Sequence, residues 1–154
     1  MNERKRAGLI RPALFFFAGA AILCAAACYS SSYRKELGAN TDLISELSDK
    51  LADYCRADFA IDNRQVSSEE MGEFYYALKK ARGLSAMTTR ESARASHRDF
   101  DAMLDAYQLF ARNADEYRLA GGRDPARLAE LMGQHQKVEA AAAKVRADLV
   151  REND

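Results

Sequence analysis

The sequence predicts an all-α protein: an N-terminal hydrophobic leader or anchor helix followed by an antiparallel bundle of three to four helices. Three observations predict this. The 154 residues include only two Pro and eight Gly, and Ala, Leu, Glu, Arg, Lys and Met are plentiful, so little interrupts helical structure. Residues 13–29 carry no charge, whereas the remainder is polar. Beyond residue 30, apolar residues recur at spacings of three and four, the period of a helix that buries one face. The chain thus reads as a leader over residues 1–28 and a helical domain over residues 29–154.

The leader opens with a short basic stretch, Arg4, Lys5, Arg6 and Arg11 against Glu3. The uncharged residues 13–29 follow, rising about 26 Å as a helix. That is close to the lower limit for a membrane span. A basic start, an apolar stretch and a small-residue end form the secretory pattern. Ala25-Ala26-Ala27-Cys28 resembles the bacterial lipobox, with Ala25 where that motif usually has Leu. The resemblance covers these four residues and the leader before them, and implies a lipid on Cys28. Two other readings stand beside it. One is an uncleaved signal anchor with its basic end in the cytoplasm; the other is cleavage after Ala27, which frees a secreted domain. The first two leave the domain membrane-anchored on the exported side, periplasmic or extracellular.

Four segments follow. The first spans about Ser32 to Ala60, with Leu37, Ile44 and Leu51 seven apart and Asn40, Leu47 and Tyr54 at the alternate positions. It is placed to continue directly from the leader helix. Ser67-Ser68-Glu69-Glu70 has the form of a capping box and opens the second segment, whose stripe is Met71, Phe74, Tyr75, Leu78 and Ala81. Thr88-Thr89-Arg90-Glu91 repeats the start signal, so a break falls near residues 86–90; one unbroken helix over 68–119 is the competing reading. The third segment, from about Arg90 to Leu119, carries the most aromatic stripe: Phe100, Met103, Tyr107, Phe110, Ala114 and Tyr117. Gly121-Gly122 ends it. Asp124-Pro125 opens the fourth, where Leu128, Leu131, His135, Val138, Ala142, Val145 and Leu149 hold a seam.

Charge and motifs exclude several functions. The 23 basic and 23 acidic residues leave 19 and 22 outside the leader, a net charge of −3. A domain so balanced is not built for nucleic acid. Cys55 is the one cysteine beyond the leader, so no internal disulfide framework exists. His97 reads as a surface residue and His135 as a core one. Neither follows a Glu by three residues, as a di-iron bundle requires, since Arg94 and Met132 hold those positions. No nucleophile, phosphate loop or cofactor motif emerges, so no catalytic residue, metal or cofactor is assigned.

The expectation is a non-enzymatic, membrane-anchored binding or scaffold module of the bacterial cell envelope, working through helix–helix contacts with a protein partner or with itself. Phe74, Tyr75 and Tyr76 are the candidate contact residues, because three adjacent aromatics cannot all face one core and Tyr76 should point away. The alternative is a four-helix sensor or carrier that holds a small apolar ligand near Phe100, Met103, Tyr107 and Phe110.

Overall fold

The computed structural model describes residues 30–57, 69–86 and 93–152 in full, and of residues 10–29 and 68 the helical backbone only. Four helices account for nearly all of this: α1 (Ile10–Arg56), α2 (Ser68–Ala86), α3 (Ala95–Leu119) and α4 (Pro125–Arg151). No strand occurs among the described residues. The fold is all-α. The chain divides into two compact units, Met1–Lys35 and Glu36–Asp154. The lipobox-like residues, Cys28 among them, and the uncharged stretch 13–29 lie outside the fully described residues. Among the latter, no helix is long and apolar enough to cross a membrane.

Within Glu36–Asp154, cross-helix contacts fix the topology. Asp42, Ser45 and Asp49 on α1 meet Arg146, Glu139 and His135 on α4 in reverse order. Arg82 and Ser85 of α2 meet Asp105 and Asp101 of α3, also in reverse. Asn113 of α3 donates to Gln134 of α4 at 3.1 Å, while Ser96 at the start of α3 meets Glu152 just past α4. The Tyr54 ring of α1 stands edge-on to Phe74 of α2, with centroids 6.4 Å apart. Each helix therefore runs antiparallel to its neighbours in an up-down-up-down ring.

The core follows most of the expected stripes on α2, α3 and α4; the exceptions are Tyr75, which lies at the surface, and Leu128 and Leu149, which are only half-buried. Phe100, Met103, Leu104, Tyr107, Phe110, Val138 and Val145 are fully buried. Each such large apolar side chain contributes about 1.5–3 kcal/mol on leaving water. On α1 the structure corrects the sequence reading. Leu37, Ile44 and Leu51 are buried as expected, but the alternate positions are Thr41, Ser48 and Cys55, all inside. Asn40, Leu47 and Tyr54 are only half-buried. The seam advances four residues and then three, which brings two hydroxyls and a thiol inward in place of Asn40, Leu47 and Tyr54. Thr41 is satisfied locally, its Oγ1 donating to the Leu37 carbonyl at 2.8 Å.

The helix ends explain where the chain turns. α2 stops at Ala86 and α3 begins at Ala95, so the single helix over 68–119 is not formed. The third helix starts later than Arg90, and Arg94 is extended (φ −75°, ψ 152°). The Thr88–Glu91 start signal and the Ser67 cap lie outside the described residues. At the other end of α3, Gly121 N donates to Arg118 O and Gly122 N to Tyr117 O, both at 3.0 Å. Both glycines have positive φ, 90° and 64°. This is a Schellman closure, which glycine favours because it has no Cβ to clash. Asp124 then caps α4, its Oδ1 accepting from Ala126 N at 2.9 Å.

Arg94 offers no side-chain cap to α3. Glu152 supplies one from across the fold: its carboxylate accepts from Ser96 N at 3.1 Å and Ser96 Oγ at 2.7 Å. A carboxylate at a helix N-terminus satisfies a free amide and complements the helix dipole. Glu152→Gln should lower stability by about 1 kcal/mol in urea denaturation, and Gly121→Ala by a similar amount (about 1–2 kcal/mol), because alanine is strained at that φ.

Candidate functional site

Among the described residues, the α1–α4 seam brings together a group of one imidazole and two carboxylates. Asp49 faces outward from α1, and its Oδ1 lies 2.8 Å from His135 Nε2 on α4. Glu139 sits one helical turn beyond His135, on the same face of α4. One ligand atom from each of the three lies within 4.8 Å of the others. The Glu139 carboxylate is held from α1, with Ser45 Oγ 2.9 Å from one oxygen and 2.8 Å from the other. On the inner side, the Phe110 ring packs against the imidazole with centroids 5.8 Å apart. His135 is thus 8% exposed, bounded by an apolar wall and two carboxylates.

This arrangement comes from ordinary helix geometry. Ser45 and Asp49 are four residues apart on α1, as His135 and Glu139 are on α4, so two helical rungs face each other across the seam. Chemically, two carboxylates beside an imidazole can hold a proton or a cation. Among the described residues, no Lys or Arg pairs with Asp49 or Glu139.

The residues nominated from sequence are distributed otherwise. Phe74 is buried, Tyr75 lies at the surface with its phenol 3.5 Å from the Ala111 carbonyl, and Tyr76 is 71% exposed. Tyr76 therefore does point away from the core. Phe100, Met103, Tyr107 and Phe110 are all fully buried. A recess of about 200 Å3 is lined by Asn113, Arg127, Glu130, Leu131 and Gln134, and touches none of those four. Burial pushes the Tyr107 phenol well above its usual range. His97, expected at the surface, is 4% exposed, its Nε2 3.4 Å from Asp101 one turn away. Its position on the α3 wheel lies beside Phe100 and Leu104, and that places it inside.

The Asp49–His135–Glu139 group does not follow the Glu-x-x-His spacing of di-iron bundles, so that pattern does not reveal it. The usable signal was the Glu four residues after His135; the Asp49 contribution depends on helix pairing and has no local signal. No known protein family, curated protein or solved structure matches the chain.

Cys55 is fully buried, and desolvation raises its thiol from 9.0 to about 12 against a small opposing effect of Arg56. The folded state keeps the proton longer than the unfolded chain. This contribution to stability is therefore intact below about pH 9 and is lost as pH rises toward 12. Aromatic disulfide reagents at pH 8 should label Cys55 at least about a hundredfold more slowly in the folded protein than in denaturant.

Proposed function

We propose that the chain is a membrane-tethered helical module of the cell envelope that acts by binding a protein partner or a second copy of itself. The observation that carries the reading is on α2. Phe74 anchors the helix in the core, Tyr75 leans toward α3 with its phenol near the Ala111 carbonyl, and Tyr76 turns outward with 71% of its surface exposed. Tyrosine is enriched at contact surfaces because it offers a broad apolar face and a polar tip at little entropic cost. A helix fixed from behind by Phe74 presents that side chain in one orientation. The tether rests on the uncharged residues 13–29 behind the basic start, with either a lipid on Cys28 or an intact anchor helix holding the chain.

A photo-crosslinking residue introduced at position 76 should trap a discrete protein adduct in the membrane fraction of the native host. The same probe at exposed Ala102, on another helix, should trap far less. A chain recovered in the cytosolic fraction would contradict the tether. Absence of an adduct, together with a single monomeric species in sedimentation, would contradict the binding role.

A further inference from the structure

We propose that Asp49, His135 and Glu139 form a binding site for a divalent transition-metal ion of the zinc type, one that clamps α1 to α4. Geometry is the first argument. The three ligand atoms all lie within 4.8 Å of one another. Bonds of about 2.0–2.1 Å in a tetrahedral site put ligand atoms about 3.3 Å apart. The His135–Asp49 contact of 2.8 Å is shorter than that, so an ion inserted there opens it by about half an ångström. The Asp49 side chain is 62% exposed and free to swing by that amount.

Charge is the second argument. Two carboxylates converge with no Lys or Arg to balance them among the described residues. A dication would find two negative ligands there that no Lys or Arg among the described residues already occupies. Positioning is the third. Both α4 ligands ride on one rigid helical rung, Phe110 fixes the imidazole plane, and Ser45 orients the Glu139 carboxylate from the opposite helix. Metal sites gain affinity from outer contacts of this kind. The donor set selects the class of ion: imidazole nitrogen with carboxylate oxygens suits Zn2+ and its neighbours, whereas Ca2+ takes 6–8 oxygens. Three protein ligands leave a fourth position for water.

The inference is independent of the tether and of any protein partner, because its readouts are metal binding and thermal stability. The test uses the full, untagged chain in detergent micelles. Cys24 and Cys28 are replaced by Ser so that leader thiolates do not compete, and metal is first stripped with a chelator. One equivalent of Co2+ should produce the visible band of a four-coordinate nitrogen–oxygen site without sulfur charge transfer, and Zn2+ should displace it. Zn2+ at a hundredfold excess over its Kd should raise Tm by about 5–10 °C. Asp49→Asn and Glu139→Gln, each with an unchanged far-ultraviolet spectrum, should weaken binding at least about tenfold, and His135→Gln more. Ser45→Ala removes no ligand and should still cost about tenfold. A chain that gives no saturable Co2+ band, or one whose binding survives both carboxylate substitutions, overturns the proposal.

Discussion

The bundle depends on how α1 is accepted by the other helices. Its inner face alternates Leu37, Ile44 and Leu51 with Thr41, Ser48 and Cys55, and Ser45 and Ala52 flank them, so every large apolar residue has a small or polar neighbour. Such a face gains less from leaving water than an all-leucine stripe. Each buried hydroxyl must also find an acceptor or lower stability. Thr41 bonds back to its own helix and Ser45 bonds to Glu139. Ser48 Oγ is buried without a partner among the described residues. α4 answers with polar groups of its own. Arg146, Glu139 and His135 each meet a polar residue of α1, so the two helices are matched in register by pairs that apolar packing alone would leave free to slide.

The α3–α4 hairpin follows a different logic. Its core is aromatic and aliphatic, and its turn is closed by two left-handed glycines and an aspartate cap. Tyr117 sits at the last turn of α3 and donates through its hydroxyl to the Gly122 carbonyl at 2.7 Å, which ties the turn to the helix it ends. The recess lined by Asn113, Arg127, Glu130, Leu131 and Gln134 lies on this hairpin and is mainly polar.

These differences set what could be read in advance. The α3 and α4 stripes are made of large residues at helical spacing, so Phe100, Met103, Tyr107, Phe110, Val138 and Val145 announced the core directly. The glycine pair and Asp124-Pro125 marked the turn for reasons of backbone sterics. On α1, size misled: Leu47 and Tyr54 look more like core than Ser48 and Cys55, yet the four-three progression puts the smaller residues inside. His97 was misplaced because its polar neighbours Ser96, Arg98 and Asp99 obscured the wheel position it shares with Phe100 and Leu104. The Asp49–His135–Glu139 group was half-visible, as a histidine and a glutamate one turn apart. Its third member belongs to another helix, and only the fold brings it near.

The carboxylate of Glu152 has a consequence for motion. Helix ends normally fray first, because their terminal amides and carbonyls lack partners. In this hairpin the loop end is closed by Gly121 and Gly122, and the open end is latched where Glu152 reaches Ser96. Both ends of the pair are therefore fastened. Fraying of the first turn of α3 is therefore linked to fraying of the last turn of α4 through the Glu152 side chain, in addition to the packing the two helices share.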